Sequence, residues 1–275
     1  MSSGLSDAGL FGPDSVTWRV HADPVLWVAG IRALLLQAVH PAAMAGVLQH
    51  SDFRADPWGR LRRTADYVGV VTFGSTAEVE TIGRRVRALH ATVRGHDDAT
   101  GVSYRASDPA LLCWVHCCEV ESFLTTYQRA GGGLSPADVD RYYAEQTRAA
   151  AVVGLDPARV PASAADIAGY FDRMRPDLAV DDRARRVAGY VFRPPMPRWV
   201  AIGTPARPAW AGVAGLAAAL LPRWARRLYR LPGLPTTDVS ATAAVRALRL
   251  AGRHAPDRFQ EGPHLRAARA RLGLA

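Results

Sequence analysis

Lysine is missing from this chain: all 34 basic residues are arginine, set against 25 acidic residues for a formal charge of +9. A nucleic-acid surface ordinarily mixes both cations and interleaves aromatics along one strip, whereas these arginines are scattered, commonly four residues from an acid. No nucleic-acid partner is therefore expected, although the excess favours an anionic ligand or surface. Cysteine is scarce. Cys113, Cys117 and Cys118 lie too close together for a disulfide framework and match no zinc spacing, which points to a reducing compartment. No run reaches the roughly 18 apolar residues of a spanning helix, and the first fifteen residues lack a basic region followed by an apolar one, so a cytoplasmic protein is expected. Also absent are a Gly-rich phosphate loop, His-Glu-x-x-His and Gly-x-Ser-x-Gly, which removes the chemistries those motifs carry.

What is present is helix punctuation. Asp23-Pro24, Asp56-Pro57 and Asp108-Pro109 each place an N-cap acid before a proline of the first turn. Ser75 with Glu78, Ser135 with Asp138 and Ser163 with Asp166 have capping-box spacing, and Pro222 and Pro263 can open two more helices. Only 101–106 alternates with period two, so the fold expected is all-α with at most one hairpin. Residues 24–40 read as one helix that is apolar nearly all round, the centre of the core. Prolines make 193–208 an irregular connection, expected to wrap the body because Trp199 needs burial, before a small helix at 209–221. The basic, amphipathic stretch 223–230 reads as a solvated face, with peripheral membrane contact as the alternative. With no internal repeat, a single multi-helix domain is expected: an N-terminal extension at 1–22, the domain at 23–256, and a C-terminal helix within 257–275 packing on it.

Candidate chemistry sits on helical stripes. On the helix after Ser75, His90 falls among Val79, Ile82, Val86, Leu89 and Val93; on the helix after Asp108, His116 lines up with Leu112, Val120, Phe123 and Tyr127. One inward imidazole is ordinarily a hydrogen-bonded core residue, but two on separate helices each require a polar partner or a metal. His40 ends the apolar helix. Arg60, Arg63 and Thr64 share a face by the i, i+3, i+4 rule, forming either a clamp for an anion or bound oxygen, or an exposed turn paired with Asp56 or Asp66. Glu119 or Glu121 could orient an imidazole. Cys117 and Cys118 read as core packing.

The ordered set Gln37-x-x-His40-Pro41, Gln49-His50-Ser51, Arg60-Leu61-Arg62-Arg63-Thr64-x-Asp66-Tyr67, His90-x-x-Val93-x-Gly95, Asp108-Pro109-x-Leu111-Leu112-x-Trp114-Val115-His116 and Arg141-Tyr142-Tyr143-x-Glu145 resembles the oxygenase MpaB family, which includes the latex clearing proteins. The resemblance implies an all-α fold enclosing one b-type heme, with His90 as proximal iron ligand, His116 as its rival, and Arg60 and Thr64 on the distal face that meets dioxygen. It further implies Arg63 against a propionate or an anionic substrate group, and His40 near the cofactor. The implied activity is a heme-dependent oxygenase taking a small apolar substrate (isoprenoid, lipid or aromatic), with an electron donor as possible partner. The alternatives are a heme-dependent dehydrogenase or peroxidase, or a non-catalytic carrier of heme or an apolar ligand. Arg63 stands where latex clearing proteins carry a lysine, and no glutamate lies between His40 and Arg60, so polyisoprene is not the expected substrate.

Overall fold

Side-chain caps start several helices where the sequence places them, but not the one expected from Asp23-Pro24, which begins at Leu26 behind Val25 with no side-chain cap. The computed structural model describes residues 7–51, 55–97, 100–254 and 261–274, and among these the chain forms fourteen α-helices and one two-stranded hairpin. Helix α1 (Val16–His21) is capped by Ser15, and α2 (Leu26–Gln37) follows a turn in which Asp23 accepts from the Val25 N–H. Next come α3 (Pro41–His50) and α4 (Pro57–Phe73), the latter capped by Asp56. Helix α5 (Thr76–Thr92) opens with a full capping box of Ser75 and Glu78. Strands β1 (Arg94–Asp97) and β2 (Val102–Arg105) pair antiparallel, with Gly95 opposite Tyr104. Helix α6 (Pro109–Arg129) is capped by Asp108, α7 (Pro136–Val152) by Ser135 in a second capping box, and α8 (Ala164–Met174) by Ser163. The remainder are α9 (Asp182–Phe192), α10 (Arg198–Gly203), α11 (Ala206–Ala219), α12 (Arg223–Leu228), α13 (Pro235–Arg253) and α14 (Pro263–Leu272).

The core is built on α2, which lies along α6 on one side and α11 on the other. Leu36, Trp114, Cys117 and Cys118 have no exposed surface, so the cysteines do serve as packing. A charge is embedded among them. Arg32 donates from Nε to the Leu220 carbonyl, from Nη1 to Glu121 and Ser122 (both 2.6 Å), and from Nη2 to Glu121 (3.0 Å), which ties α2, α6 and the end of α11 together.

Three local expectations change. The single helix expected over 24–40 ends at Gln37, and the chain turns through 105° into α3. The cause is local: Pro41 disfavours helical geometry at the residue before it, and His40 is extended (φ −91°, ψ 118°) and caps α3 with its ring. Within 193–208 the chain forms α10 and the first turn of α11, and Trp199 is 74 % exposed, not buried. Leu89, placed by spacing on the inward stripe of α5, is 60 % exposed. Helix α1 contributes buried Val16, Trp18, Val20 and His21, and α14 packs on α4.

Candidate functional site

Helices α4 and α5 form an antiparallel hairpin turning at Gly74 and Ser75. Arg60 lies 13 residues before the end of α4 and His90 lies 14 after the start of α5, so equal rise per residue brings both to the same end of the pair. On α4, Arg60, Thr64, Tyr67 and Val71 share one face at spacings of four and three. On α6 the corresponding face carries Leu112, Val115, His116, Glu119 and Phe123. Two ties set the relation of these helices: Thr72 reaches Phe123 through the His21 ring, and the Glu119 charge acts on the Tyr67 phenol.

The side chains on these faces share an unusual state. Arg60, Thr64, Tyr67, His90, Val115, His116 and Glu119 are each half-buried, neither packed solid nor open to solvent. His116 and Glu119 are nevertheless strongly desolvated: burial lowers the His116 pKa to about 4 and raises that of Glu119 to about 7. Burial also lowers His90 and raises the Tyr67 phenol. Both imidazoles are therefore neutral at pH 7, and each has a buried nitrogen without a hydrogen-bond partner: Nδ1 of His90 and Nε2 of His116.

Arg60 is held by one neighbour. Its Nη1 donates to the Ser51 hydroxyl at 2.5 Å, and desolvation together with the Arg63 charge lowers its pKa. The Thr64 hydroxyl donates to the Arg60 carbonyl at 3.1 Å, which leaves its oxygen lone pairs free to accept. Arg63 faces outward, 60 % exposed, and pairs with Asp56 at 3.2 Å; it does not join the face of Arg60 and Thr64. His40 is held elsewhere, its ring capping α3 and lying 5.7 Å from Trp114, with its pKa lowered by burial. A surface groove of about 610 Å³ between α5 and α7, with Arg84, Arg87 and Arg148 on its walls, contains none of these residues.

Two further residues complete the picture. Tyr67 stands one turn beyond Thr64 on the same face of α4, a place its spacing in the sequence already signals. His21 belongs to structure: Nδ1 meets the Thr72 hydroxyl at 2.8 Å and Nε2 the Tyr142 hydroxyl at 3.0 Å, so both nitrogens are satisfied. Its isolated position in a six-residue helix gave no periodic signal.

Comparison with known proteins places the chain in a family. Two mycobacterial proteins, "Uncharacterized protein Rv2237" of Mycobacterium tuberculosis and "Uncharacterized protein Mb2261" of Mycobacterium bovis, are each 27 % identical to the chain over 169 residues. The alignment covers 58 % of this chain and 66 % of each relative, so the chain spans just under two thirds of their length. No solved structure matches. The profile described as "ER-bound oxygenase mpaB/B'/Rubber oxygenase, catalytic domain" matches residues 18–253, nearly the whole described fold and every candidate residue above. The chain is thus a member of the mpaB/B' and rubber oxygenase family and carries its oxygenase-type catalytic domain.

Proposed function

We propose that this chain is a heme b-dependent oxygenase acting on a small apolar substrate with dioxygen, drawing electrons from a separate donor. The observation that carries the reading is the pair of neutral imidazoles with orphaned nitrogens, His90 and His116, the former at the same end of the α4–α5 hairpin as Arg60. A buried polar nitrogen without a partner costs free energy on the order of 1–3 kcal/mol, and a ligand that orients or engages the ring relieves it. Among the described residues no group of three or more His, Cys, Asp or Glu converges on one point. An iron here would take most of its ligands from a macrocycle and one from the protein, which fits a single neutral imidazole.

When bound, the heme would supply oxygen activation. The protein's own part follows from its side chains. His90 is the ligand that the resemblance implies, with His116 as its rival, and its lowered pKa keeps the ring free of a competing proton. Arg60 would bring a half-buried positive charge and N–H donors that can meet an anionic or polar ligand, and Thr64 would offer a hydroxyl one turn away. Glu119, with a pKa of about 7, can hold or release a proton at its carboxyl near neutral pH. Val68 and Val115, partly buried against the main core, add apolar surface on α4 and α6 that favours a substrate without charge.

Titration of the purified protein with hemin tests this. Saturable binding with a Soret band that His90→Ala abolishes supports the assignment, as does oxygen consumption with a reductant and a panel of isoprenoids, lipids and aromatics. If His116→Ala removes the band and His90→Ala does not, the ligand roles are exchanged. A chain that refuses hemin overturns the reading.

A further inference from the structure

Residues 183–237 contain ten arginines and no aspartate or glutamate. Arg183 and Arg185 are neutralised by acids at 97, 181 and 182, and Arg223 and Arg226 by Asp238. Arg193, Arg198 and Arg207 are exposed and make no ion pair among the described residues. In the midst of these three charges, α10 carries Trp199 and Ile202, 74 % and 83 % exposed and three residues apart, hence on one side of the helix.

The mounting of this knob is rigid. Prolines at 194, 195, 197, 205 and 208 restrict the backbone on both sides of α10. The Trp58 indole N–H donates to the Pro195 carbonyl at 2.9 Å, its ring meets Trp210 edge-on at 4.7 Å, and Trp210 donates to Val191 at 2.8 Å. The segment leading into α10 is thereby tied to the start of α4 through Trp58.

We infer that Trp199 and Ile202, with Arg193, Arg198 and Arg207 around them, form a peripheral docking site for a bilayer rich in anionic lipid. An indole settles at the level of the headgroups while isoleucine reaches the acyl boundary, and arginines near the surface are attracted by lipid phosphates. A second copy of the chain fits less well. It would set arginine against arginine, and one Trp and one Ile offer far less than the roughly 800 Å² per partner of a stable interface.

Co-sedimentation of the full chain with vesicles tests the inference, and it does so independently of heme because binding is read with and without added hemin. Vesicles of phosphatidylglycerol and phosphatidylcholine are expected to carry the protein down in a salt-sensitive manner, and pure phosphatidylcholine vesicles much less. The double variant W199S/I202S is expected to weaken binding on the order of tenfold, and R198A or R207A about fivefold each. These side chains are exposed, so circular dichroism and thermal melting should match the unchanged protein. Equal binding by the variants, or no preference for the anionic vesicles, overturns the proposal. So does sedimentation velocity showing that W199S/I202S converts a dimer to a monomer, which would assign the knob to a second copy.

Discussion

Three histidines lie in comparable apolar surroundings and differ in what their ring nitrogens meet. His21 has both satisfied, whereas His90 and His116 each keep one buried and unpartnered. The distinction yields opposite expectations on substitution. His90→Ala is expected to lose heme retention, read by the Soret band, with little loss of stability because no hydrogen bond is broken. His21→Gln is expected to keep heme but cost about 1–3 kcal/mol, since the hydroxyls of Thr72 and Tyr142 are left imperfectly paired. Burial holds the folded pKa of His21 near 3, below the ordinary 6.5, so as pH falls the unfolded chain takes up a proton that the folded one refuses. Its stabilising contribution is complete above pH 6.5 and is lost progressively toward pH 3. Thermal melts from pH 7 to 4 should therefore fall less steeply in His21→Gln than in the unchanged protein. Arg60→Ala and Thr64→Ala should leave heme content largely intact while changing cyanide affinity and turnover, because they act on bound ligand charge; unchanged affinities would return both to a structural role.

At the scale of elements, the helix starts were legible because a cap is a hydrogen bond within three residues. Ser75, Ser135, Asp56 and Asp108 all make the bonds their spacing implied. Faces were legible only to about one residue. Spacing grouped Arg63 with Arg60, but the N-cap carboxylate of Asp56 draws the Arg63 guanidinium outward. Likewise Leu89 fell just outside the buried arc that His90 occupies. Helix-on-helix approach leaves its own mark at Gly69, where a Cβ would come within 2.3 Å of the His264 ring at the start of α14. Gly69→Ala should displace α14 from α4 and destabilise by about 1–3 kcal/mol, checked by thermal melts and by earlier proteolytic cleavage ahead of α14.

For the molecule as a whole, the central α2 is held by a charge as well as by apolar packing. Arg32, 1 % exposed, has Glu121, Ser122 and the Leu220 carbonyl as partners. Removing one member of a buried pair leaves the other without compensation, so Arg32→Ala should cost about 3–5 kcal/mol, measured by urea unfolding. The sequence alone determined the all-α class, the capped helix starts at 57, 76, 109, 136 and 164, and the family, since each rests on local spacing or on an ordered set of residues. Tertiary structure decided which histidine is satisfied, that Arg32 is paired, and that Trp199 is displayed. Each of these turns on groups brought together from far along the chain, Tyr142 to His21 and Glu121 to Arg32, or on which surfaces the packed helices leave uncovered, and no local pattern records either.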